Sequence, residues 1–219
     1  MPPRHKTHPK FLAGILSSVV VVVLGGSTLY YSQAFLTRVA TFDECVKSGY
    51  PMLESFPRQC VAPSGDTFIE EVTTYRNDTI GFSLQYPPEI KIEELPSGNV
   101  RFFFIGSTQS EEALSDGISF IVSKIILPRN SSLRDIALRD EKQENSRTEK
   151  EDFGSVGEIV LAGRHGYTFT TKFDTTTHFI YLPRTTDSAI KISYFAQDPT
   201  HQGFDEIVNN ILSSFNVLP

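Results

Sequence analysis

The chain has no tryptophan, two methionines and only two cysteines in 219 residues. Two cysteines allow at most one intramolecular disulfide, and they fall short of the four ligands of a structural zinc site. Cys45 and Cys60 are also too far apart for the Cys-x-x-Cys arrangement of thiol redox centres. Acidic residues are missing from the first ten positions, and charge of either sign is missing between Lys10 and Arg38. No Gly-x-Gly-x-x-Gly, Walker loop, Gly-x-Ser-x-Gly turn or calcium-binding loop occurs, so the usual signatures of dinucleotide, nucleotide, acyl-transfer and calcium chemistry are absent. A dense basic face is missing too. Of 20 basic residues, Arg4, Lys6 and Lys10 sit at the tip, leaving a body dominated by the 26 acidic side chains. Such a body repels phosphate backbones, which excludes sequence-independent nucleic-acid binding.

What is present begins with the uncharged stretch itself, residues 11–37, centred on FLAGILSSVVVVVLGGSTLYY. About 20 apolar residues suffice for a helix to cross the hydrocarbon layer of a bilayer. Tyr30 and Tyr31 fall where an interfacial aromatic belt belongs, and the basic tip opposite Asp43 and Glu44 predicts a cytoplasmic N-terminus with an exported C-terminal body. The expectation is a signal anchor retained in the cell membrane. Gly25, Gly26 and Ser27 also satisfy the small-residue pattern of a cleavage site, which keeps a cleaved signal peptide open as the alternative. Either way the body leaves the cytosol.

Export explains the cysteines. In an oxidising compartment a thiol pair persists as a disulfide. Joining Cys45 to Cys60 closes a loop of about 15 residues, for which chain entropy gives roughly 3 kcal/mol. The loop contains Gly49, Pro51 and Pro57, is trailed by Pro63 and Gly65, and shows no regular apolar spacing. It cannot build a core of its own. Residues 41–71 therefore read as a small stapled module between the anchor and the main domain.

From residue 75 onward the pattern alternates with period two, as in half-buried strands. Phe82, Leu84 and Tyr86 begin it; Val100, Phe102 and Phe104 follow, then Ile118, Phe120 and Val122. Ile159 and Leu161, Tyr167 and Phe169, residues 178–182, and Ile190, Ile192 and Tyr194 continue it, giving about seven strands. Ser132-Leu-Arg-Asp135 reads as a capping box opening a helix. Phe204, Ile207, Val208, Ile211, Leu212 and Phe215 form one apolar stripe of a terminal helix. The run RDEKQENSRTEKED, residues 139–152, reads as a solvated helix end and loop, with a docking strip for a basic partner as the alternative. The expected class is α+β, an antiparallel sheet covered by helices.

The segment Asp43-Glu-Cys, Gly49-Tyr-Pro, Pro57-Arg-Gln-Cys60 and Pro63-x-Gly-x-x-Phe68 resembles a short Cys-bounded module of envelope proteins from candidate-phylum bacteria. Tyr75-Arg-Asn-Asp-Thr-Ile-Gly-Phe-Ser-Leu-Gln-Tyr-Pro87 is similar to the opening of PsbP-like domains. Ile159-Val-Leu-Ala-Gly-Arg-His-Gly-Tyr167 resembles their central hairpin, and Ile211-Leu-Ser-Ser-Phe215 their closing helix. Ile90 stands near the position where those domains often carry a tryptophan. The resemblance implies an α/β/α sandwich over residues 75–219 and accessory binding roles, not one conserved reaction.

No catalytic, cofactor or metal constellation emerges, so none is expected. Ser188-Ala-Ile-Lys191 spells Ser-x-x-Lys, but its companion motifs are missing and the two side chains fall on opposite faces of a strand. His165, His178 and His201 share no ligand spacing. In the expected turn Gly163-Arg-His-Gly166, Arg164 and His165 are the candidates for a small anion site, with a plain solvated turn as the alternative. The leading expectation is a membrane-anchored, extracytoplasmic, non-catalytic binding or assembly domain with an envelope protein partner and no cofactor. The alternatives are an envelope hydrolase whose site assembles from dispersed residues, and a solute-recognition module.

Overall fold

The computed structural model describes residues 39–53, 55, 57–109, 114–146, 154–172 and 175–219. The apolar run 11–37, and with it the reading of that run as an anchor, lies outside the described residues. Among the described residues no helix is long and apolar enough to cross a membrane.

The disulfide-bounded segment opens with helix α1 (Phe42–Lys47), whose first turn is capped when the Glu44 N–H donates to Thr41 Oγ1 at 3.2 Å. Three short strands follow, β1 (Met52–Leu53), β2 (Gln59–Val61) and β3 (Thr67–Ile69), in one antiparallel sheet of that order. Cys45 on α1 and Cys60 on β2 are bonded and fully buried. The bond thus ties the helix to the sheet where little apolar area does so.

The larger part contains β4 (Thr73–Asn77), β5 (Phe82–Tyr86), β6 (Lys91–Glu94), β7 (Val100–Ile105) and β8 (Gly117–Ile126), then helix α2 (Leu133–Asn145). Next come β9 (Gly157–Leu161), β10 (Arg164–Lys172), β11 (Thr176–Pro183) and β12 (Ser188–Gln197), helix α3 (Phe204–Ser214) and β13 (Asn216–Val217). Seven strands form one antiparallel sheet in the order β6-β7-β8-β12-β11-β10-β9. The expected single sheet is corrected in two respects: β6, which is not among the expected strands, belongs to it, and β5 does not. β5 pairs with β4 and with the two-residue β13, forming a third sheet. β13 exists because α3 ends at Phe215 in extended conformation, which returns the chain along β5.

Alternation along the strands separates two faces. Ile180, Leu182, Ile190 and Ile192 face α3 and the small β4–β5–β13 sheet, whereas Phe179 and Tyr181 face α2. A helix therefore covers part of each side of the sheet, as an α+β domain of this class requires. Phe102, fully buried on β7, joins the layers: its ring meets Tyr75 edge-on at 5.2 Å and Phe120 at 6.2 Å. Phe82 stacks on Phe215 at 5.4 Å, fixing the end of α3 to β5. Burying one such phenylalanine is worth roughly 2–3 kcal/mol, and rings in mutual contact add to it.

The helices form where their local chemistry dictates. Ser132 and Asp135 make the reciprocal capping box, and α2 buries Ile136 and Ala137. α3 starts differently, from Gly203 at φ +82° with no side-chain cap of its own. The Asp198 carboxylate replaces it, accepting from the N–H groups of Gln202, Gly203 and Phe204 at 2.6, 2.7 and 3.2 Å. Partial desolvation raises the Asp198 pKa, yet these three donors outweigh it and hold the carboxyl below its ordinary value.

Candidate functional site

Two open clefts flank the disulfide-bounded segment. The first, of about 680 Å³, runs between β1 and the outer side of α3, lined by Met52, Leu53, Ser55, Glu206, Asn209, Asn210 and Ser213. Met52 and Leu53 are 40% and 47% exposed although both are large and apolar. They face a helix wall of amides, a hydroxyl and one carboxylate. Apolar anchors beside unhindered amide donors and acceptors suit a peptide or protein surface better than a small charged solute.

The second cleft, of about 450 Å³, lies where the chain enters the fold and is lined by Ala40, Thr41, Phe42, Asp43, Arg58 and Glu70, with Phe68, Ile69, Glu71, Pro88 and Glu89 completing it. At its floor Arg58 and Glu70 form a two-pronged ion pair: Nε donates to Oε2 at 2.9 Å and Nη2 to Oε1. Their side chains are only 12% and 5% exposed. The guanidinium also lies 5.4 Å from the Phe42 ring centroid. Burial lowers the Arg58 pKa, but the hydrogen bonds and charge of Glu70 prevail and raise it. With the Glu70 charge paired to Arg58, Asp43, Glu71 and Glu89 leave the cleft acidic.

A third polar cluster holds α2 to the sheet. Tyr181 Oη donates to Asp140 Oδ2 at 3.0 Å, and Lys191 Nζ donates to the same oxygen at 3.0 Å. The ammonium sits over the Phe179 and Tyr181 rings at 5.1 and 5.5 Å. Burial first, then the Asp140 charge, pushes the Tyr181 phenol far up, so it stays protonated and acts as a donor only. On the other face His178 stacks flat on Tyr194 at 4.7 Å, and burial holds its imidazole below the usual range despite the nearby Asp205. Asp116, 1% exposed, is fully engaged by Thr108 N, Thr108 Oγ1 and Gln202 Nε2, which tie the β7–β8 loop to the segment before α3.

The residues singled out from sequence are distributed as follows. Arg164 and His165 do not lie in a turn: the turn is Ala162-Gly163, with φ of 53° and 70°, and Arg164 already opens β10 opposite Leu161. Two successive positive φ values define the two-residue hairpin turn matching strand twist. Consecutive strand residues face opposite sides, so Arg164 and His165 are not brought together. Ser188 contacts Thr185, and Lys191 is held by Asp140, so that pair is not assembled either. His165, His178 and His201 lie on β10, on β11 and in the loop before α3. Among the described residues no three His, Cys, Asp or Glu side chains could hold a metal ion.

What escaped the sequence reading is the Asp140 latch, the Arg58–Glu70 pair and the Met52–Leu53 edge. Asp140 carried a signal, since it falls four residues after Ile136 on the buried side of α2. No local pattern pairs Arg58 with Glu70.

No protein-family model matches the chain, and no curated protein does. Among solved structures the chain is similar to cyanobacterial PsbP (CyanoP) from Synechocystis, with a TM-score of 0.47 and 14% identity over 68% of this chain and 94% of that one. It is also similar to LpqN of Mycobacterium tuberculosis, described as involved in cell envelope biogenesis, with a TM-score of 0.41 and 13% identity over 83% of this chain and 99% of that one.

Proposed function

We propose that the chain is a single-pass membrane protein, held by residues 11–37, that displays its folded body outside the cytoplasm as a non-catalytic binding or assembly factor of the cell envelope. The observation that carries this reading is the buried Cys45–Cys60 bond in a segment with too little apolar area to fold unaided. Such a bond persists where thiols are oxidised. The uncharged run with its basic tip supplies the route to that compartment. The cleft between β1 and α3, with exposed Met52 and Leu53 against Asn209 and Asn210, is the proposed protein-binding surface.

The test uses the intact chain, solubilised from native membranes and recovered with whatever it holds. A defined partner should accompany the wild type and the surface control Ile126→Asp, and should be lost from Leu53→Asp, which places a charge among the apolar contacts. Equal recovery by Leu53→Asp rejects this cleft as the surface. Turnover of peptidoglycan, peptide or phosphate ester by the purified chain, abolished by one point change, rejects the non-catalytic reading.

A further inference from the structure

The seven-stranded sheet has two outer strands, β6 and β9, and they are finished differently. β6 exposes Lys91, Glu93 and Glu94, the kind of charge that discourages edge-to-edge pairing. β9 reads Gly157-Glu-Ile-Val-Leu161, with Glu158 its lone charge and Val160 62% exposed. Its hairpin closes on the pair Leu161 and Arg164, so alternation assigns the bonds toward β10 to Leu161, Ile159 and Gly157. The N–H and C=O groups of Glu158 and Val160 point away from β10, and among the described residues they have no partner. Within the described residues this is an unprotected template for one more strand.

We infer that β9 is the interface for a second copy of this chain, pairing antiparallel with its twin about a two-fold axis through Ile159. The register is self-consistent. With Ile159 opposite Ile159 of the twin, Glu158 faces Val160, and these are the two residues whose free backbone groups can exchange both hydrogen bonds. No like charges are opposed, because each Glu158 meets a valine. Where the chain enters the fold points the same way. A two-fold between antiparallel edge strands stands perpendicular to the sheet, so both copies present the same sheet face on the same side. The disulfide-bounded segment, through which the chain enters the fold, lies on the α3 side, with Met52 and Leu53 beside Asn209 and Asn210. Both chains therefore emerge toward one surface, as two anchors in a single membrane need. That last point rests on the anchor reading; the backbone argument does not.

The experiment uses the intact chain in native membranes with Ile159→Cys. The facing Cα atoms of such a pair lie about 4.5 Å apart, within disulfide reach, and both natural cysteines are already bonded to each other. Mild oxidant should give a covalent dimer with Ile159→Cys and none with Glu93→Cys on the opposite edge. Adding V160E opposes two carboxylates at each symmetric position and should lower the dimer yield about tenfold. Adding E158K as well sets opposite charges face to face and should restore it, which unfolding by V160E would not allow. A monomer from Ile159→Cys, an adduct of another mass, or a yield indifferent to V160E overturns the inference. Alkaline carbonate washing of the same membranes reads the anchor separately, since loss of anchoring releases the chain whether or not it dimerises.

Discussion

Glu70→Gln is the sharpest single perturbation of the disulfide-bounded segment. It removes the charge but keeps the shape, leaving the Arg58 guanidinium, 12% exposed and stacked near Phe42, without its counter-ion. Stranding one member of a buried pair costs about 3–5 kcal/mol. Because the pair joins the residue before β2 to the residue after β3, this loss falls on the local opening of the segment, not on the distant sheet. At ~3 kcal/mol the open population rises roughly 150-fold, since each 1.4 kcal/mol is a factor of ten. Cys45 and Cys60 are fully buried when the segment is closed, so reduction by external thiol reports on opening. The assay is the rate of Cys45–Cys60 reduction by excess dithiothreitol in the intact chain, read by alkylation and mass spectrometry. Wild type should resist, Glu70→Gln should reduce about two orders of magnitude faster, and the double change Arg58→Met with Glu70→Leu should recover most of the protection by removing both charges. A reduction rate for Glu70→Gln within threefold of wild type refutes the reasoning, as does a double variant no better than the single one.

Three further outcomes follow from the larger domain. Asp140→Ala takes the shared acceptor from Tyr181 and Lys191 and should cost about 2–3 kcal/mol, measured as a lowered thermal midpoint, with Gln143→Ala on the exposed side of α2 as the neutral comparison. Ala162 holds φ +53° at the first turn position, where asparagine is at ease and alanine is not; Ala162→Asn should stabilise by ~0.5–1 kcal/mol in denaturant titrations. Burial keeps the folded His178 pKa below its unfolded value, so the unfolded chain binds the proton first; stability should be complete above pH about 6.5 and decline as pH falls below it. Urea midpoints at pH 7.5 and 5.5 should differ more for wild type than for His178→Gln.

Legibility of this fold from sequence followed the range of its interactions. The α3 stripe and the Ser132–Asp135 capping box are local, periodic signals, and both elements lie where those signals put them. The alternating strands were legible one by one, but their grouping was not: β5 alternates as cleanly as β7, yet pairs with β13 more than a hundred residues away. β6 was hidden because Glu94 takes one of its two core-side positions, leaving Ile92 as a single apolar residue between charged Lys91 and Glu93. The charged run after Leu138 concealed Asp140, whose partners come from β11 and β12. The Gly163–Gly166 spacing does have a physical basis. Gly163 supplies the second positive φ of the turn, and a Cβ on Gly166 would run into the Tyr181 carbonyl.

The central claim is that the folded body stands outside the cytoplasm, and labelling in intact cells tests it most directly. A single cysteine introduced at exposed Ser64, in a chain whose natural pair is bonded, should react with a membrane-impermeant maleimide once any outer barrier is opened, while the natural pair stays unreactive until reduced. A cysteine at Ser64 that labels only after the inner membrane is permeabilised, together with free thiols at Cys45 and Cys60, would contradict the account.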